Sequence, residues 1–169
     1  LDSAPLYQHK MAAGAIYRAE LAAALEQEFG SKVVRDKDSF SVEGVSKELC
    51  DEWSTRRKEI EEKLKEKGLN TAKAASVAAL DTRDDKAHTS RQELFERWGR
   101  TGKEHSFSEV EAERAIRGGQ INRTPEEREE SKSAIFQYAV EEATRTQSHF
   151  TEREVIRYAA VEAQGRGLS

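Results

Sequence analysis

Residues 3–30 read SAPLYQHKMAAGAIYRAELAAALEQEFG, and the reading of this stretch decides the fold class. Ser3 can cap a helix, and Pro5 is tolerated in a first turn, where a backbone N–H has no intrahelical partner. Leu6, Ala13, Tyr17, Leu21 and Leu25 recur at helical spacing as far as Phe29, and Gly30 is a natural stop. The small cluster Ala12-Ala13-Gly14-Ala15 lets another element pack close to this helix. Tyr17, placed on the apolar face beside alanines, is read as a packing residue with a locally satisfied hydroxyl, not as a nucleophile.

The stretch that follows, SKVVRDKDSFSVEG, changes texture. Val33-Val34-Arg35 and Phe40-Ser41-Val42 are β-prone runs around the polar turn Asp36-Lys37-Asp38, which predicts a short hairpin. A lone hairpin is marginal in water, so it must lie against the helices or extend a sheet supplied by other sequence. Everything else reads as helix. Ser46 opens a long helix ending at Gly68, with Leu49, Trp53, Ile60 and Leu64 as its stripe and Glu59–Lys63 and Glu61–Lys65 as favourable pairs. Residues 71–80 form a small-residue helix. Ser90 caps a helix bearing Leu94, Phe95 and Trp98, broken at Gly99 to Lys103. Ser108 with Glu111, Thr124 with Glu127 and Thr151 with Glu154 are capping boxes for three more helices, the first ending at Gly118-Gly119. The last two carry apolar faces at Ile135, Phe136, Ala139 and Val140, and at Val155, Ile156, Ala159 and Ala160. The expected fold is mainly α with one short β-hairpin, followed by a small helical segment.

Composition narrows the chemistry. Aromatics make up only 7% of the 169 residues, so the core must be largely aliphatic, and the net charge of −4 excludes a chain that is basic throughout. A basic cluster on one face remains possible. No apolar run is long enough to span a membrane and no charged-then-apolar leader opens the chain. Cys50 is the single cysteine, which suits a cytoplasmic setting; beside Leu49 it reads as an inert core thiol. No GxxxxGKS phosphate loop is present, and His9, His88, His105 and His149 are scattered without ligand spacing. His88 beside Asp84 and Asp85 reads as a polar loop in preference to a metal site. The first residue is Leu1, so the chain is expected to be a piece of a longer one.

The residues 51–60, DEWSTRRKEI, pose a separate question. Arg56 and Arg57 fall in the turn between Trp53 and Ile60, where the apolar stripe ought to continue. Two guanidinium groups there call for a fixed partner, either phosphate or a carboxylate. Trp53 and Trp98 could stack bases, although core is the favoured reading for both.

The run LDSAPLYQHKMAAGAIYRAELAAALEQEFG, with Gly14 to Leu21 as its centre, then the hairpin, then Trp53-Ser54-Thr55-Arg56-Arg57-Lys58-Glu59-Ile60, resembles the TrwC/TraI-type conjugative relaxase–helicases. Ser90 to Trp98 looks like a further helix of that family. Trp53 and Thr55 depart from the residues usual there, Phe and Lys. The resemblance implies that residues 1–107 are the C-terminal part of a relaxase domain, that 108–123 connect, and that 124–169 open a helicase region with a winged-helix-like subdomain. It implies single-stranded origin-of-transfer DNA as partner, together with an upstream catalytic subdomain and a cytoplasmic site of action. Carried onto the matching positions, it makes Ser54, Arg56, Arg57, Lys58 and Arg91 the candidate DNA contacts. The family's divalent metal, three histidines and nucleophilic tyrosines are expected upstream of Leu1, and its phosphate loop beyond Ser169. No catalytic residue and no cofactor is therefore assigned here. The alternative function is a non-catalytic helical module for protein contacts in plasmid transfer.

Overall fold

The computed structural model describes residues 4–68, 71–81, 89–116, 121, 123–145 and 148–168. The elements are, in order, α1 Ala4–Phe29, β1 Val33–Asp36, β2 Ser39–Val42, α2 Lys47–Trp53, α3 Thr55–Glu66, α4 Ala72–Asp81, α5 Arg91–Glu104, α6 Glu109–Ile116, α7 Pro125–Thr144 and α8 Glu152–Ala163. The chain is mainly helical, with a single two-stranded antiparallel hairpin among the described residues. The expected caps at Ser46, Ser90 and Thr124 are present, each accepting a backbone N–H of its helix's first turn. Ser3, the Gly118-Gly119 stop and the His88, Asp84 and Asp85 loop lie outside the described residues.

Two compact units are formed, Leu1–Gly44 with Ala112–Ser169, and Val45–Glu111.

In the first unit α8 packs against both α1 and α7. The buried face of α1 is Ala12, Ala15, Ala19, Ala22 and Ala23, not the expected row of larger residues. Leu6 is 75% exposed and Tyr17 66%, while Ala13 and Leu21 are also exposed. The reason is steric. Helix α8 offers Ala159, Ala160 and Ala163, and α7 offers Ala139 and Ala143. A seam of small residues lets helix axes approach to the near end of the usual 8–10 Å range, so the alanine face wins the contact. On α7 and α8 the bulky members of the expected faces, Phe136, Val140 and Ile156, are likewise exposed.

The hairpin pairs Val33 with Val42 and Asp36 with Ser39, and Lys37 in its two-residue turn takes φ 54°. It leans on helices of its own unit. Arg35 bonds Glu162 and Tyr138, and Asp38 receives Arg157 on its carboxylate at 2.8 Å and Arg18 on its carbonyl at 3.0 Å. Buried Glu26 of α1 pairs with Arg123 at 2.7 Å.

The second unit has a thin core, with Leu49 and Ala78 its buried apolar residues among those described. Its long predicted helix is in fact two. Ser54, at φ −83° and ψ 50°, separates α2 from α3, and its Oγ donates to the Cys50 carbonyl at 2.8 Å. A serine bonding back to residue i−4 loosens a helix in this way. Cys50 is exposed, correcting its reading as a core thiol. Leu49 occupies the buried position, and the next helical residue lies about 100° round the axis. Helix α5 in turn continues through its glycines to Glu104. Gly102 is needed there, since a Cβ on it would lie 2.7 Å from the Phe107 carbonyl oxygen, where the chain folds back to bond Phe107 N–H to Gly102 O.

Candidate nucleic-acid interface

The Ser54 junction sets the side chains of Arg56, Arg57 and Lys58, because it restarts the helix immediately before them. Thr55 opens α3, and the Arg57 and Lys58 amides bond the Ser54 carbonyl at 2.9 and 3.2 Å. Each of the three cations has a carboxylate partner. Arg56 Nη1 lies 3.4 Å from Glu59 Oε2, Arg57 Nε 2.6 Å from Glu61 Oε1, and Lys58 Nζ reaches Glu52 across the junction. The pull of Lys58, first by hydrogen bond and then by charge, holds the Glu52 carboxyl below the ordinary glutamate value.

Arg56 does one thing more. Its Nη2 donates to the Ala79 carbonyl in the last turn of α4. A helix leaves its final carbonyls without intrahelical donors and carries partial negative charge at that end, so a guanidinium satisfies it on both counts. The interruption of the stripe by Arg56 is thus occupied by a helix terminus and a carboxylate. The expected pairs Glu59–Lys63 and Glu61–Lys65 do not form, because Arg56 and Arg57 take those two glutamates.

Arg91, the fifth candidate, stands elsewhere, at the start of α5. Ser90 accepts from the Glu93 amide at 3.2 Å, and Glu93 Oε2 accepts from the Ser90 amide at 2.9 Å. These bonds from Ser90 keep the Glu93 carboxyl low. Arg91 makes no ion pair among the described residues; its guanidinium carbon lies 6.0 Å from the centre of the Phe95 ring. Phe95 and Trp98 then meet edge to face, with centroids 5.7 Å apart.

Along the same helix Arg97, Arg100 and Lys103 also lack a carboxylate partner among the described residues. Two of the three acids on this helix are engaged, Glu93 in the cap and Glu96 accepting from Gln92 at 3.1 Å, while Glu104, four residues beyond Arg100, makes no ion pair among the described residues. These three cations escaped the sequence reading. The Ser90-x-x-Glu93 box was legible, and it shows that one acid of this helix is spoken for.

Both tryptophans correct the expectation of burial. Trp98 is 43% exposed and Phe95 59%; Trp53 is 39% exposed and touches Phe107 edge to face at 6.2 Å. With Leu49 as its main buried residue, the unit has no room to enclose two indoles.

No group of three or more His, Cys, Asp or Glu suited to a metal occurs among the described residues. No helix of the described residues is long and apolar enough to cross a membrane. No curated protein and no solved structure matches the chain. A family model, TrwC relaxase, matches residues 1–105, more than half of the sequence and both the α3 and the α5 candidates. The chain therefore belongs to the TrwC relaxase family, whose work is conjugative DNA processing.

Proposed function

We propose that this chain helps bind and position single-stranded origin-of-transfer DNA in the cytoplasm for nicking and strand transfer. The observation that carries the reading is α5, where Arg91, Arg97, Arg100 and Lys103 stand without carboxylate partners among the described residues. Arginine holds phosphate through paired, charge-assisted bonds, and a cation that makes no ion pair has none to break in doing so. Ser54, Arg56, Arg57 and Lys58 contribute second, because a phosphate reaching them displaces Glu59, Glu61 or Glu52. Those pairs are exposed, and exchanging an exposed pair costs at most about 1 kcal/mol. Residues 108–123 and 124–169 serve in this reading as the connector and the opening of a helicase region.

The test is a polarisation titration of a labelled single-stranded oligonucleotide across salt concentrations. Binding is expected to weaken with salt, and each phosphate contact removed lowers the slope of log K against log salt by about 0.7. Replacing Arg97 and Arg100 together by Ala should flatten the slope by roughly 1.4. Binding that ignores both salt and these substitutions overturns the proposal.

The second reading, a helical module for protein contacts, is favoured by one observation on α1. Opposite its alanine seam, Leu6, Tyr7, Met11, Tyr17, Leu21 and Phe29 are exposed. Under that reading Tyr17→Glu abolishes partner binding and leaves the oligonucleotide titration unchanged.

A further inference from the structure

Resting on the DNA-binding reading, we infer that the α2–α3 junction is a two-state hinge. The Glu52–Lys58 pair holds the helix broken at Ser54, and a strand phosphate that takes Lys58 lets residues 47–66 run as one helix. The pair itself is the first observation. Its members stand six residues apart in sequence. In a continuous helix such residues lie about 9 Å apart along the axis and about 120° apart round it, so they do not face each other. They meet here because Ser54, at ψ 50°, turns the chain between them.

The layout of the unit is the second. Helix α3 packs on α4, and α2 on α5. Arg56 fastens α3 to α4 through the Ala79 carbonyl, while Trp53, the last residue of α2, meets Phe107 beyond the end of α5. Helix α3 contributes no buried residue of its own. The α3–α4 pair is therefore joined to α2 at Ser54, and a change there moves the pair as a body. Third, the sequence does not force the break. No Gly or Pro lies between Lys47 and Lys67, and a continuous helix sets Glu52 four residues before Arg56, a favourable spacing. The Ser54 hydroxyl, by bonding the Cys50 carbonyl, loosens the turn, and the ion pair then fixes it open. A ligand shifts such an equilibrium only by preferring one form. A phosphate on Lys58 must displace Glu52 in the broken form alone, so the strand selects the continuous helix. Strand capture and reorientation of α3 are then one event.

The experiment uses the full chain, spin-labelled at native Cys50, which is exposed and the sole cysteine, and at Lys65→Cys. A continuous helix separates these two Cα atoms by about 22 Å, and a bend at Ser54 shortens that. Pulsed electron paramagnetic resonance should give the shorter distance in the free protein and a shift toward the longer one when a dT oligomer binds. Lys58→Met should lengthen the distance without DNA, and so should Ser54→Ala. Exchanging the partners, Glu52→Lys with Lys58→Glu, rebuilds the pair and should return the short distance, which controls for a folding defect. An unchanged distance in a folded Lys58→Met or Ser54→Ala variant overturns the hinge. A dT oligomer that binds with the expected salt sensitivity and leaves the distance unchanged also overturns it, while the DNA-binding reading stands. Absence of any salt-sensitive binding by the unmodified chain sinks that parent reading instead.

Discussion

Helices α3 and α5 belong to the same unit, are both rich in arginine, and put those arginines to opposite uses. On α3, Arg56 and Arg57 each hold a glutamate on their own helix, and Arg56 also caps α4. On α5, Glu93 is held by Ser90 and Glu96 accepts from Gln92, and Arg97, Arg100 and Lys103 make no ion pair among the described residues. Charge count therefore says little about which helix can hold a phosphate. What matters is whether the nearby acids have other commitments.

The largest effect that can be imposed on this contrast is to remove the footing of α5. Gly102→Ala places a Cβ against the Phe107 carbonyl, a backbone atom that cannot swing aside. Overpacking of that kind costs roughly 1–3 kcal/mol. Chemical denaturation should show that loss, together with weakened oligonucleotide binding. Gly99→Ala, with open space around the added carbon, should instead be neutral or slightly stabilising. If both substitutions behaved alike, α5 would owe its position to something other than the Gly102 contact.

A second substitution attempts to turn α3 into α5. Glu59→Gln with Glu61→Gln removes the partners of Arg56 and Arg57 while keeping side-chain length. Stability should change by less than about 1 kcal/mol, as for exposed pairs in general. Single-strand affinity should rise and the salt slope steepen by up to ~1.4, two further phosphate contacts' worth. An unchanged slope would mean that Arg56 stays bound to Ala79 and that α3 takes no part. Arg56→Ala makes the smaller complement: it should loosen α4 and leave DNA affinity within about twofold, since that guanidinium is already engaged.

Much of this was legible in the sequence, for reasons that differ between fold and site. Caps are local, so Ser46, Ser90, Thr124 and the hairpin turn could be read from neighbours a few residues away. Burial is not local. On α1 both the leucine–tyrosine row and the alanine row have helical spacing, and only the small residues of α7 and α8 decide between them. The Ser54 break likewise turns on one hydroxyl choosing the Cys50 carbonyl. The five candidate contacts came from family resemblance, and the structure places four of them around the α2–α3 junction and Arg91 apart on α5. Arg97, Arg100 and Lys103 were not singled out because whether a cation is paired depends on the placement of side chains such as Glu93 and Glu96, which helical spacing alone does not give.

The finest distinction between the two helices lies in what lowers their carboxylates. Glu52 is held below its ordinary value chiefly by a hydrogen bond from Lys58 and then by that charge, Glu93 chiefly by the backbone and hydroxyl of Ser90. In each case the folded carboxyl titrates below the unfolded one. The stability linked to it is therefore complete above the unfolded glutamate value, about 4.3, and is lost as pH falls through the lower folded value. Salt separates the causes. Mobile ions screen the ammonium at the α2–α3 junction, whereas they leave a backbone hydrogen bond nearly intact. Carbon NMR titration of the two side chains should show Glu52 moving back toward its ordinary value between low and high salt while Glu93 stays. Lys58→Met should release Glu52 alone, and Ser90→Ala should release Glu93 in part, since the backbone donor remains. If both carboxylates responded equally to salt, the cap on α5 would be no firmer than an ion pair, and the commitment of Glu93 that leaves Arg91 and Arg97 unmatched would lose its physical basis.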